Sequence, residues 1–97
     1  MRLSQRMIDV IRDAVNNSFG RVDVYLFGSR TDESKKGGDI DIAIDSKNSR
    51  DEFKKNRLKF IVFLLKMGYD FKIDVVEFNH LDPLFKDEIM NTAIKIA

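Results

Sequence analysis

Two aspartates separated by one residue lie in a stretch that alternates between isoleucine and acidic or small residues, Asp39-Ile40-Asp41-Ile42-Ala43-Ile44-Asp45. A period of two is typical of a β-strand, on which Asp39 and Asp41 project to one face and the isoleucines to the other. Neighbouring carboxylates repel each other unless a cation lies between them. Hard cations such as Mg²⁺ prefer carboxylate oxygens together with substrate phosphates. The pair therefore predicts a metal site that still needs a phosphate ligand.

Gly28 and Ser29 are the candidates for holding that phosphate. They directly follow Val22–Phe27, a segment rich in β-branched and aromatic residues that predicts a strand. Glycine lets the backbone approach a ligand closely, and backbone N–H groups at the start of a helix favour an anion. The Ser29 hydroxyl can donate a hydrogen bond, and Arg30 adds a positive charge. A Gly-Ser dipeptide is also a common turn, so a purely structural role remains open for this pair alone.

Asp74 is a third carboxylate, placed between β-branched residues in Ile73-Asp74-Val75-Val76. An aspartate buried among such residues without a partner would be costly, so we expect its face to open onto the same polar site. Three carboxylates around two metal ions match the two-metal mechanism of phosphoryl and nucleotidyl transfer. A half-exposed strand would explain each aspartate singly. The ordered combination favours chemistry, because aspartate is disfavoured in strands.

Three amphipathic or capped segments predict helices around these strands. Apolar residues recur at helical spacing from Leu3 to Ser18, before Gly20. Ser49 and Glu52 form a capping box that opens a second helix. The second helix ends at Gly68, and its apolar run Phe60–Leu65 predicts a deeply buried C-terminal half. A third helix begins with Asp82 as N-cap and Pro83 at its first position and reaches about Asn91.

The order of these elements predicts an α+β domain, a small mixed β-sheet with flanking helices in the order α-β-β-α-β-α. The third strand is expected over Phe71–Phe78, and Ile94–Ala97 is either a short closing strand or a fraying end. The link between the first two strands is too short for a crossover helix, so they are expected to pair antiparallel. Residues 1–97 are expected to form a single domain.

Composition excludes several classes of site. The chain has 97 residues, no cysteine and one histidine, His80, which excludes disulfides, thiol catalysis and metal sites built on cysteine or on a histidine pair. The formal net charge of +1 argues against a nucleic-acid binder that relies on overall charge. The first residues soon become charged and are not expected to form a signal peptide, and no apolar run could span a membrane, so a cytoplasmic location is expected. A basic stretch, Lys54-Lys55 with Arg57 and Lys59, suits RNA, an acidic partner or simply a solvated helix face.

Leu26-Phe27-Gly28-Ser29-Arg30, followed after a short polar segment by Asp39–Ile44, resembles the signature of the polymerase-β-type nucleotidyltransferase superfamily. The chain is more narrowly similar to the minimal nucleotidyltransferases (MNT proteins), often encoded beside a helical HEPN partner. The resemblance implies that Gly28 and Ser29 hold a nucleoside triphosphate. It also implies that Asp39 and Asp41 bind Mg²⁺, two ions in all, and that Asp74 is a third ligand and general base.

The resemblance further implies a reaction and a partner. A nucleoside monophosphate, AMP from ATP, would pass to a hydroxyl with release of pyrophosphate. In MNT–HEPN pairs the implied acceptor is a tyrosine of the HEPN toxin, and the MNT protein acts as antitoxin. The alternative is a non-catalytic nucleotide-binding antitoxin, an interaction module that neutralises its partner by occlusion. Both readings expect a protein partner, leave a homo-oligomer open, and expect neither a membrane nor a nucleic acid as partner.

Overall fold

The computed structural model describes residues 4–27, 40–69 and 73–97 of the chain. The elements in chain order are α1 (Gln5–Ser18), β1 (Asp23–Phe27), β2 (Ile40–Asp45), α2 (Arg50–Lys66), β3 (Ile73–Glu77), a 3₁₀ turn (Phe78–His80), α3 (Pro83–Thr92) and β4 (Ile94–Lys95). The predicted order α-β-β-α-β-α is confirmed. For Ile94–Ala97 the sequence allowed either a short strand or a fraying end, and this segment contains the short strand β4.

The four strands form one mixed sheet in the order β3-β2-β1-β4. β1 pairs antiparallel with β2 and β4, whereas β2 pairs parallel with β3. α2 is the connection between the two parallel strands, so the predicted mixed sheet and its antiparallel first pair are both confirmed. β3 ends at Glu77 rather than at Phe78, because Phe78 begins the 3₁₀ turn. The expected start at Phe71 lies outside the described residues.

Side-chain caps fix the starts of α2 and α3 where the sequence predicts them. The Ser49 hydroxyl accepts from the Glu52 backbone N–H at 3.2 Å, and the reciprocal contact completes the capping box. The Asp82 carboxylate accepts from the Phe85 backbone N–H at 3.0 Å. Gly68 follows the C-terminus of α2 with φ +87°, a backbone conformation that favours glycine.

One face of the sheet forms the main core with α1 and α2. Its fully buried strand residues are Val24, Leu26, Ile42 and Ile44, and α2 contributes Phe60 and Leu64. The expectation that the whole C-terminal half of α2 is deeply buried is wrong. Only the side of α2 that faces the sheet and α1 is covered, and Ile61, Val62 and Leu65 are exposed on the other side. A dense apolar run does not say how many sides of its helix have a neighbour.

The opposite face of the sheet is covered only in part, by the 3₁₀ turn and α3, through aromatic contacts. The rings of Tyr25 and Phe78 lie 5.6 Å apart between centroids, and Phe27 meets Phe85 edge-on at 5.7 Å. Ile89 of α3 and Ala43 of β2 are buried. This is the face to which the alternation of β2 directs its acidic residues.

Candidate active site

The sheet brings Asp41 and Asp74 side by side although they are far apart in the sequence. They are direct partners in the parallel pairing of β2 with β3. Side chains that are paired in this way project from the same face, and neighbouring strands lie about 4.8 Å apart. Two of the three carboxylates predicted from the sequence therefore share one small area.

The two carboxylates differ in their surroundings. β2 is an inner strand and Asp41 is half-buried, whereas β3 is an edge of the four-stranded sheet and Asp74 is exposed. The backbone around Asp41 is held by strands on both sides, so its position is fixed more firmly than that of Asp74. Asp74 is the one that a large molecule approaching the β3 edge can reach.

An aromatic pair bounds the carboxylates on the other side. Phe27 is the direct partner of Asp41 in the antiparallel pairing of β1 with β2, so the two side chains share a face. Phe85 of α3 meets Phe27 edge-on. Sequence reasoning missed both rings. The antiparallel pairing and the alternation could have placed Phe27 beside Asp41, but nothing local to α3 indicated that Phe85 would reach this face.

The remaining predicted site residues, Gly28, Ser29, Arg30 and Asp39, lie outside the described residues. The described residues that flank them, Phe27 and Ile40, belong to the end of the sheet where Asp41 is found, since Phe27 and Asp41 are paired.

The donor set suits a hard cation. Within the described ranges no group of three or more His, Cys, Asp or Glu residues could hold a metal ion, and the carboxylates contributed there are the pair Asp41 and Asp74. Mg²⁺ usually takes one or two carboxylates from a protein and completes its shell with water and phosphate oxygens, so two carboxylates match its preference. His80 is exposed, and the centroid of its ring lies 6.4 Å from that of the Phe53 ring of α2.

A second acidic group has a structural role. Glu77 is only 2% exposed. It accepts from the backbone N–H groups of Ser46 (3.2 Å) and Asn79 (3.1 Å), the Asn79 side-chain amide (3.0 Å) and the Ser46 hydroxyl. The Asn79 amide also donates to Asp45 at 2.7 Å. These bonds tie the C-terminal ends of β2 and β3 together and use Glu77 as an acceptor.

The mixed sheet with its flanking helices has the architecture of a polymerase-β-type nucleotidyltransferase core. The family model described as Nucleotidyltransferase domain matches residues 8–96, and the chain belongs to this family. Family membership supports a transferase that uses a nucleoside triphosphate. No curated protein matches the chain. Among the described helices, none is long and apolar enough to cross a membrane.

Proposed function

We propose that this chain is a minimal, single-domain, Mg²⁺-dependent nucleotidyltransferase of the cytoplasm. It transfers AMP from ATP to a hydroxyl on a helical HEPN-type partner and thereby acts as its antitoxin. The observation that carries the proposal is the pairing of Asp41 with Asp74 on one face of the sheet. The family match supports the general chemistry of nucleotidyl transfer.

The transfer is a single displacement at the α-phosphorus of ATP. The acceptor oxygen forms a bond to the α-phosphorus, the bond from that phosphorus to the oxygen bridging to the β-phosphorus breaks, and pyrophosphate leaves. The acceptor hydroxyl loses its proton to a base. Asp74 suits that role because it is exposed on an edge strand, where a protein-borne hydroxyl can come within hydrogen-bonding reach.

Asp39, Asp41 and Asp74 would hold Mg²⁺, with Gly28, Ser29 and Arg30 binding the triphosphate. When bound, the metal neutralises charge that develops on the phosphate oxygens and orients the reacting groups. Asp41 contributes a carboxylate fixed by strands on both sides. Phe27, with Phe85 against it, places aromatic rings on the β1 side of that carboxylate and would limit the access of water there, and charge interactions strengthen where water is excluded.

The test is an intact-mass assay with ATP, Mg²⁺ and the purified product of the gene that neighbours the one for this chain. We expect the partner to gain one or more AMP units. The variant Asp41→Asn should slow the transfer by about 10³-fold, equivalent to about 4 kcal/mol of transition-state stabilisation. Asp23→Asn is the matched control. Asp23 is an exposed aspartate of β1, and it forms a surface ion pair with Lys95 at 3.4 Å.

Two results would contradict the proposal in different ways. Full transfer by folded Asp41→Asn protein would remove the paired carboxylates from the mechanism. Absence of AMP on the partner, with a stable complex and undiminished neutralisation by Asp41→Asn protein, would instead support the non-catalytic module that acts by occlusion.

A further inference from the structure

An aliphatic stripe lies on the outer side of α2, opposite the side that packs on the core. Its members are Leu58 (63% exposed), Ile61 (36%), Val62 (38%) and Leu65 (54%). The spacing i, i+3, i+4 and i+7 places all four side chains on one face of the helix. The stripe covers two helical turns, about 10 Å in length, which is the width and periodicity of a seam that receives one other helix.

This stripe differs from the scattered apolar residues that any protein surface carries. Leu84 of α3 is 82% exposed, but it is not part of a helical stripe. The α2 stripe is continuous, and it borders an open depression lined by Asn17, Leu58, Lys59, Val62, Phe63 and Lys66. Continuous exposed apolar surface on a folded protein marks a site of interaction, whereas single exposed leucines need no explanation.

Basic side chains flank the stripe on both sides. Helical geometry places Lys55, Lys59 and Lys66 on one flank and Arg50 and Arg57 on the other, and all five are exposed. Lys54, also exposed, continues the line of the stripe one turn before Leu58. The acidic residues of α2 are confined to its first turn, where Asp51 and Glu52 lie and Glu52 completes the capping box. The stripe is therefore an apolar seam between two positive rims, on a chain whose net charge is only +1.

We propose that the α2 stripe and its basic rims are the docking site for an amphipathic helix of a partner protein. That helix carries an apolar ridge flanked by glutamate or aspartate. Its ridge would bury the stripe, and its acidic side chains would pair with the lysines and arginines along the rims, as flanking charges do in coiled coils. The proposal goes beyond nucleotidyl transfer and does not depend on it.

Charge and side-chain type together favour this occupant over three others. A second copy of the chain, placed with its α2 against this α2, would bring basic rims together, and like charges at such positions are destabilising. Single-stranded nucleic acid would need aromatic platforms for its bases, and the stripe is wholly aliphatic. Binding to a membrane surface scales with the apolar area that is buried, and the stripe offers only four side chains over two turns, with the phenylalanines of α2 on its buried side.

The docking site is separate from the candidate active site. α2 packs on the face of the sheet formed by Ile42 and Ile44, whereas Asp41 and Asp74 project from the opposite face. A helix bound to the stripe would hold the partner without occupying the carboxylates. Failure of the proposed chemistry and failure of the proposed docking can therefore be observed independently.

The test uses a synthetic helical peptide of about three heptads, with leucine along one ridge and glutamate at the flanking positions. A companion peptide carries lysine in place of glutamate. Binding to the purified full chain is followed by fluorescence anisotropy, with backbone NMR shifts to locate the contact. We expect the glutamate peptide to bind at least about tenfold more tightly than the lysine peptide. Its affinity should fall as salt is added.

Matched variants connect that binding to the stripe. Leu65→Ser and Ile61→Ser should each weaken binding of the glutamate peptide by about tenfold, because serine lacks the apolar side chain that the peptide ridge would bury in the seam. Leu84→Ser, an exposed leucine outside the stripe, should bind as wild type does. Asp41→Asn should also bind as wild type does, which separates docking from catalysis. Circular dichroism confirms that each variant is folded.

Several outcomes would overturn the proposal. They are equal affinity for the two peptides, no measurable binding of the glutamate peptide, binding that Leu65→Ser leaves unchanged, and NMR shifts confined to elements other than α2. Tighter binding to phosphatidylserine vesicles than to the peptide would assign the stripe to a membrane surface. Self-association of the chain that Leu65→Ser abolishes would assign it to a second copy.

Discussion

The two faces of the sheet are built from the same strands but have opposite properties. On the face toward α1 and α2, Ile42 and Ile44 are completely buried, whereas on the other face the same strand presents the half-buried Asp41 and Asp45. The period of two along a strand allows this division within six residues. One face can therefore be optimised for packing while the other keeps polar groups accessible, and substitutions on the two faces should affect different properties.

The two carboxylates of β3, Asp74 and Glu77, show the same contrast between the faces of the sheet. Asp74 is exposed on the face toward α3, which is the open face of the sheet. Glu77, paired with Ile44 and 2% exposed, lies on the face toward α1 and α2, which is the closed face. The glutamate has its acceptor capacity satisfied by Ser46 and Asn79, as a buried carboxylate requires. The exposed carboxylate of Asp74 is accessible from solvent, whereas the buried carboxylate of Glu77 stabilises a chain connection.

The largest difference between the two faces is expected in the free energy of unfolding that is lost when one phenylalanine on each face is replaced by alanine. Phe60→Ala removes a side chain that is completely buried between the sheet, α1 and α2, and should lower the free energy of unfolding by about 3–5 kcal/mol. Phe85→Ala removes a side chain that is 37% exposed on α3 and should cost about 1–2 kcal/mol. Urea denaturation measures both. Equal losses would mean that the face toward α3 is packed as tightly as the main core.

A smaller difference is expected between the two carboxylates of β3. Glu77→Ala removes a buried acceptor that the N–H groups of half-buried Ser46 and of Asn79 share, and should cost about 1–3 kcal/mol. Asp74→Ala on the open face should change the free energy of unfolding by less than about 0.5 kcal/mol. The same urea experiment compares them. A loss for Asp74→Ala as large as that for Glu77→Ala would show that Asp74 is needed for folding.

Local sequence signals predicted the features whose causes are local. The Ser49–Glu52 capping box and the Asp82-Pro83 start of α3 depend on neighbouring residues, and the structure places both as expected. The alternation of β2 predicted which residues share a face. The burial of α2 was predicted wrongly, because the composition of Phe60–Leu65 does not reveal that only one side of the helix meets the sheet and α1.

Features that depend on how distant segments meet could not be predicted from those signals. That Asp41 and Asp74 are direct partners follows from the register of the parallel pair, which the sequence of neither strand specifies alone. The burial of Glu77 depends on Ser46 and Asn79 coming together from two different connections. The contact of Phe85 with Phe27 likewise requires α3 to return across the open face.

The smallest expected effect is the gain in the free energy of unfolding on adding Mg²⁺. This gain distinguishes a metal site on the open face from a surface that is only polar. If Asp41 and Asp74 hold Mg²⁺ in the folded state only, Mg²⁺ at about ten times its Kd should raise the free energy of unfolding by about 1.4 kcal/mol. Asp41→Asn should lose most of that gain because it removes a ligand, whereas Asp23→Asn at the far end of the same face should keep it.

Thermal unfolding with and without MgCl₂, at an ionic strength matched with NaCl, measures this gain. Matching the salt removes general screening, which acts on every exposed carboxylate alike. The quantity compared is the Mg²⁺-dependent increment of each variant, since neutralising one of two adjacent carboxylates also changes the stability of the metal-free protein. An increment in Asp41→Asn equal to that of wild type would place the Mg²⁺ effect elsewhere on the chain and leave the open face without a metal role for Asp41.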